Sequence, residues 1–202
     1  FDAAGVNAAQ LFTNAIDTET KGLDVVISHN ARFSDFKLDN NFAVNLNQTK
    51  KVGDIHSSGA LQAANLENIY FSEASRVYLE EAVPKVKASL SHNLNWKDAT
   101  FYLRNTYFGK VTSPDIIDAN GDGVVSLNEH QSITDKIITD VSVAYKLTDN
   151  LSVTLGANNL FDIYPTKNLT ASTNNDQFIY SRSTSQFGLN GRYVFSRLNF
   201  SF

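Results

Sequence analysis

Read in steps of two, the chain falls into long stretches where apolar and polar residues alternate. A period of two marks a β-strand with one greasy and one wet face. Leu23, Val25, Ile27, His29 and Ala31 share a face, with Asp24, Val26, Ser28 and Asn30 opposite. After the short polar stretch Arg32 to Asp35, one face carries Phe36, Leu38, Phe42, Val44 and Leu46, and the other Asn41, Ala43, Asn45, Asn47 and Thr49. Val86, Ala88, Leu90 and Leu94 stand against Lys85, Lys87, Ser89, Ser91 and Asn93. An Asn95 to Asp98 turn leads into a strand over Thr100 to Val111. Ile137, Val141, Val143, Tyr145 and Leu147 form the next apolar row, and Thr148-Asp149-Asn150 returns the chain into Leu151, Val153, Leu155 and Ala157. In the last strand Val194, Ser196, Leu198 and Phe200 oppose Tyr193, Phe195, Arg197, Asn199 and Ser201, before the terminal Phe202.

The pattern predicts seven strands, with short turns at one end and long loops at the other. The loops run from Gly53 to Ser75, from Val111 to about Ser132, and from Ala157 to the last strand. Several strands reach about 10 residues or more, the length of a tilted membrane-crossing strand rather than of an average globular one. Lopsided loops are the layout of an outer-membrane barrel, with the long ones outside. The fold expected is therefore all-β: part of an antiparallel transmembrane β-barrel. Leu38, Val44, Leu90, Val143, Val153 and Leu198 should face hydrocarbon, and Asn45, Asn47, Ser89, Asn93, Ser142 and Thr154 the lumen. Trp96 and Phe33 at short turns, and Tyr78, Tyr107, Phe108, Phe161, Tyr164 and Tyr193 near the opposite ends, suit interfacial aromatic girdles. The competing reading is a soluble β-sandwich, whose strands also alternate but run shorter.

Composition narrows the classes. Apolar residues make up 42%, and no run of about 18 of them occurs, which excludes a helical membrane protein. The mean hydropathy of −0.24 is compatible with a barrel, because alternation hides its apolar content. Without cysteine there are no disulfides, thiolate metal sites or cysteine nucleophiles. A net charge of −4 with no basic cluster gives no reason to expect nucleic acid. Methionine is absent even from position 1, so the chain is expected to be a piece of a longer product. A seven-stranded sheet with two free edges points the same way, since unpaired backbone groups in lipid cost several kcal/mol each.

One stretch carries metal chemistry. Residues 118–129, DANGDGVVSLNE, match the twelve-residue EF-hand loop position by position. Asp118, Asn120 and Asp122 stand at positions 1, 3 and 5, Gly123 at the turn, and Val124 offers its carbonyl at 7. Ser126 stands at 9, often acting through water, and Glu129 at 12 can bind bidentately. Ca²⁺ takes six to eight hard oxygens, and this set nearly fills the shell. Val125 is the apolar residue usual at position 8. A solvated Asp/Asn/Gly turn is the plain alternative, but such a turn needs no acid six residues past its glycine. Pro114 before the loop and a strand from about Ile133 leave no room for an entering helix, and no second loop is present to pair with it. The expected role is a structural Ca²⁺ in an external loop rather than a sensor.

Other chemistry is thin. His29, His56, His92 and His130 lack ligand spacing, and His92 falls within an apolar row as an interfacial ring. Glu80 and Glu81 look like a carboxylate pair, yet neighbours on a strand face opposite ways. With no Ser-His-acid arrangement or phosphate-cradling glycine loop, an enzyme is not expected.

Several stretches resemble the carboxy-terminal barrel of TonB-dependent outer-membrane transporters. Thr18-Glu19-Thr20-Lys21-Gly22-Leu23-Asp24 resembles the start of a late strand, and Glu81-Ala82-Val83-Pro84-Lys85 the entry to a later one. Asn158-Asn159-Leu160-Phe161-Asp162-Ile163-Tyr164-Pro165 is similar to the stretch after the penultimate strand. Gly191-Arg192 and the aromatic end resemble the last strand, including the signal read by the barrel-insertion machinery. The resemblance spans the chain and implies that residues 1–202 form about the last seven strands of a roughly 22-stranded, plugged barrel, the plug lying outside this sequence. It further implies energy-coupled uptake of a scarce nutrient across the outer membrane of a Gram-negative bacterium. The implied partners are the rest of the barrel and its plug, the inner-membrane protein TonB, outer-membrane lipid, and a small nutrient or a surface substrate-binding lipoprotein. Two other functions fit less of the pattern: a passive barrel or translocator anchoring a surface domain, and a calcium-dependent adhesion module on a soluble sandwich.

Overall fold

The computed structural model describes residues 14–67 and 70–202. Seven strands form one antiparallel sheet in the order β1-β2-β3-β4-β7-β8-β9. These are β1 (Asp17–Arg32), β2 (Phe36–Val52), β3 (Val86–Trp96), β4 (Ala99–Phe108), β7 (Lys136–Thr148), β8 (Leu151–Asn158) and β9 (Tyr193–Phe200). The two-residue link Lys97-Asp98 joins β3 to β4, with Lys97 at φ 52°. Between the long strands β5 (Val111–Ile116) pairs with β6 (His130–Ile133), and α1 (Gly59–Ala63) and α2 (Glu73–Glu80) follow β2.

Register fixes the faces. Leu38 pairs with Leu94, Leu94 with Phe101, Phe101 with Val143 and Val143 with Leu155, so all stand on one side. Phe42–Leu90, Val44–Ala88 and Val153–Leu198 lie on that same side. The lumen set falls on the other, as Ala43–Ser89, Asn93–Tyr102, Tyr102–Ser142 and Ala144–Thr154. A one-residue slip anywhere would have exchanged the faces. Among the described residues nothing covers the apolar face: Val194 is 71% exposed and Leu198 68%. On it, no charged side chain stands on any sheet strand except Asp17, Glu19, Lys21 and Lys50 at the loop-side rim. A soluble sandwich would bury that face against a second layer, so the sandwich alternative is set aside. β1 has 16 residues and β2 17, long enough to rise past an apolar band about 25 Å tall even when tilted.

The fully buried side chains sit in the loops instead. Val77 of α2, Val111 of β5 and Ser113 are the most enclosed, with Ile133 of β6 beside them at 2%. The compact core is thus a cap at the long-loop end, resting on an uncored wall.

The structure corrects four sequence expectations. The Gly53–Ser75 stretch, of which 68–69 lie outside the described residues, contains α1 and the start of α2. Glu80 and Tyr78 belong to α2, so Tyr78 is no strand-end girdle residue, and Glu80 and Glu81 converge on one arginine instead of facing apart. β4 ends at Phe108 rather than Val111, because Gly109 donates to the Val86 carbonyl at 2.9 Å and the chain then turns into β5. A side chain at Gly109 would meet that same carbonyl at 2.8 Å. Finally, the second long loop holds the two-stranded β5–β6 sheet, which Pro114 and its shortness had concealed.

Candidate functional site

Three loops converge on the cap. Ser72 caps α2 by accepting from the Ser75 amide at 3.2 Å. Arg76 then gathers three carboxylates, with nitrogens at 2.5 Å from Glu73, 2.9 Å from Glu80 and 3.4 Å from Glu81. That hydrogen-bonded guanidinium holds the Glu73 carboxyl below the usual range, and Glu73 in turn raises Arg76. The Lys51 amide donates to Glu80 at 2.9 Å, tying α2 to β2, and the Thr112 amide donates to the Glu81 carbonyl at 2.9 Å, tying it to β5. From the third loop, Thr184 donates to the Ala82 carbonyl, and Gln186 to those of Gly109 at 2.6 Å and Thr134 at 3.1 Å. Between these elements lies an open cavity of about 640 Å³, walled by Phe71, Tyr78, Leu79, Pro114, Asp115 and Arg182. Its lining is mostly apolar with one guanidinium and one carboxylate, and it lies open to solvent along Tyr78.

The 118–129 loop stands between β5 and β6, closed by the Ile117 amide donating to the Glu129 carbonyl at 3.2 Å. Asp118 accepts from the amides of Gly121 at 2.7 Å, Asp122 at 3.1 Å and Gly123 at 2.8 Å. Asn120 accepts from the Asp122 amide at 2.8 Å, and Asp122 from the Val124 amide at 2.8 Å. Gly123 holds φ +85°, a conformation side chains disfavour. Nδ2 of Asn120 lies 3.2 Å from both Asp122 and Glu129, so two carboxylates converge on one neutral donor. The Glu129 amide donates to the Ser126 carbonyl at 3.0 Å. Asp118, Asn120, Asp122 and Glu129 are thus linked in one loop, while Val124 and Ser126 enter through their backbone. Each of these side-chain oxygens accepts from an amide within the loop, so the carboxylates are held by N–H donors here. Among the described residues, no group of three or more His, Cys, Asp or Glu side chains is drawn tightly enough to qualify as a metal cluster.

Along the lumen face, Asn45 donates to Asp24 at 2.6 Å and Ser28 to Asn41 at 2.7 Å. Asp140, only 6% exposed, accepts from Arg104 at 2.7 and 3.0 Å and from the Asn159 amide at 2.9 Å. Sequence reasoning missed this pair because its members are 36 residues apart. On the outer face, Asn40 bridges His29 at 3.3 Å and His92 at 2.6 Å, placing His92 beside strand neighbours and not in a ligand cluster.

The family described as TonB dependent receptor-like, beta-barrel matches residues 1–160. No curated protein matches the sequence. Among solved structures, the pyoverdine outer membrane receptor FpvA from Pseudomonas aeruginosa PAO1 bound to pyoverdine is similar, at TM-score 0.54 and 18% identity over 93% of this chain and 22% of that one. The FpvAI–pyocin S2 complex gives TM-score 0.55 and 18% identity over 93% of this chain and 20% of that one. The ferripyoverdine receptor of the P. aeruginosa outer membrane bound to ferripyoverdine gives 0.54 and 18% over 93% and 20%. The chain therefore spans about a fifth of the length of these receptors, and at such identity the likeness is one of fold.

Proposed function

The chain belongs to the TonB-dependent receptor-like β-barrel family and is part of an outer-membrane β-barrel, and from this premise we propose that the complete barrel imports a scarce nutrient using energy from the inner membrane. Members of the family are transporters and not enzymes. The observation that carries the reading is the division of the sheet: a mostly apolar face outside, charged only at its loop-side rim, a polar face inside, and a folded cap at the loop end. In this reading seven strands of a roughly 22-stranded wall surround a plug. The nutrient binds near the cap, directly or from a surface lipoprotein, and enters when TonB acts on the plug. A ferric chelate is one candidate nutrient, since the receptors of like fold bind pyoverdine. The test is whole-cell uptake before and after collapse of the proton gradient, with surface binding followed in parallel. Binding should persist while accumulation stops. Passage that continues undiminished would replace this reading with the passive barrel.

The same reading includes a Ca²⁺ ion held by Asp118, Asn120, Asp122, Ser126, Glu129 and the Val124 carbonyl. Its support is the complete loop match and the gathering of Asp122 and Glu129 on Asn120. The ion's part is to neutralise those carboxylates and stiffen the β5–β6 link. Calcium titration of the complete receptor should show Glu129→Gln weakening binding by roughly tenfold or more. Equal calcium affinity in both proteins would remove the ion from the account.

A further inference from the structure

The dipeptide Asn-Gly occurs twice in the sequence, at Asn120-Gly121 and Asn190-Gly191, and the fold treats the two differently. Such a pair is chemically labile, because the unhindered glycine nitrogen can close a ring onto the asparagine side chain. In the 118–129 loop both reacting groups are tied down. The Gly121 amide donates to Asp118 at 2.7 Å. Oδ1 of Asn120 accepts from the Asp122 amide at 2.8 Å, and its Nδ2 donates to Asp122 and Glu129, each at 3.2 Å. Asn190-Gly191 stands instead in a bend just ahead of β9. The Asn190 side chain is exposed, and among the described residues neither it nor the Gly191 amide has a hydrogen-bond partner. Glycine is required at 191, since a side-chain carbon there would stand 2.6 Å from the Asp162 carboxylate. The fold therefore demands the reactive half of the pair and leaves the other half free.

We propose that Asn190 is a site of spontaneous deamidation in the folded protein, and that the loop around Asn120 protects its twin. The reaction needs water alone, and neither a ligand nor the uptake machinery. The Gly191 nitrogen attacks Cγ of Asn190, a new N–Cγ bond forms, and the Cγ–Nδ2 bond breaks. Ammonia leaves with the proton of the Gly191 amide, and a succinimide remains. Water then opens that ring at either carbonyl, giving aspartate or an isoaspartate with one more carbon in the main chain, and releasing a proton. The product places a new carboxylate directly before β9, beside the Arg192 amide that Asp162 holds at 2.8 Å. At Asn120 several hydrogen bonds must break before the same attack, which slows it by roughly tenfold or more.

The experiment ages the full receptor in outer-membrane vesicles at mildly alkaline pH, and the same receptor unfolded in guanidinium chloride. Cleavage after lysine and arginine puts the two sites on separate peptides, 183–192 and 111–136. Fragment masses locate each amide that has become an acid, and methylation by an isoaspartyl methyltransferase marks the iso product. In the folded receptor Asn190 should convert roughly tenfold or more faster than Asn120, and unfolding should bring the two rates close together. Asn120 keeping pace with Asn190 in the folded receptor overturns the proposal. So does an Asn190 that converts only after unfolding. A rate ratio that survives unfolding would assign the difference to neighbouring side chains rather than to the fold, and the proposal fails. In N190Q the isoaspartate mark on peptide 183–192 should vanish, and its persistence would place the reaction elsewhere.

Discussion

Replacing Leu90 with arginine should destabilise the assembled barrel by about 2–4 kcal/mol, and the same arginine one residue earlier, at Ser89, should cost far less. Leu90 shares its row with Phe42 and Asn105 on the outer face. It stands six residues along β3 from Trp96, which ends the strand at the short-turn girdle. With a rise of about 3.3 Å per residue and a tilt near 40°, Leu90 comes about 15 Å above that girdle. An apolar band is about 25 Å tall, so this is close to its middle, where a guanidinium is least able to reach water. Ser89 pairs with Ala43 and Thr106 on the lumen face, where polar groups already meet one another. Val143, only two residues along β7 from Tyr145 at the Ala99 row, lies nearer the interface and should show a smaller penalty. Denaturant titration of the complete barrel refolded into bilayers measures all three. Equal costs at Leu90 and Ser89 would contradict the register.

Arg76→Ala should open the cap at neutral pH while leaving the sheet assembled. The substitution removes the cation that holds Glu73, Glu80 and Glu81, leaving three carboxylates along one short helix and its C-terminal cap residue. Because the Arg76 side chain is 35% exposed, solvent screening limits the local loss to about 1–2 kcal/mol. The pH dependence has a definite sign. Glu73 is depressed in the folded cap by its hydrogen bonds to Arg76, so its contribution is complete above the ordinary glutamate range. It disappears as pH falls through the depressed value, and the wild-type cap should therefore loosen in acid. Hydrogen exchange of residues 73–81 in the intact receptor reads both effects. Unchanged exchange in R76A, or a cap that tightens in acid, would contradict the arrangement.

The wall was legible in the sequence because each strand carries its own period of two, and membrane exposure requires the pattern to persist. Val153 and Leu198 could be assigned to one face from alternation alone, and the register puts them opposite each other. What alternation does not carry is any pairing between distant strands. The Arg104–Asp140 ion pair and the His29–Asn40–His92 bridge arise only when strands align, and nothing local to either announces them. The cap was missed for another reason. α2 has eight residues with a single buried side chain, Val77, too little apolar periodicity to set it apart from a polar loop. Its Ser72-x-x-Ser75 cap and the Glu73–Arg76 and Arg76–Glu80 spacings were the available signals. The 118–129 stretch was picked out as a motif because its oxygen-bearing residues lie within twelve positions of one another, and its proposed ion awaits the calcium titration.

One face of this sheet touches lipid and the other turns to the barrel interior. A nitroxide scan of β3 tests this division most directly, placing one label at a time at positions 88 to 93 of the complete receptor in bilayers. This stretch of sequence has no cysteine to compete for the label. Collision with oxygen, which concentrates in lipid, should be high at Ala88, Leu90 and His92 and low at Ser89, Ser91 and Asn93. A flat profile, or high collision at the odd positions, would contradict the account.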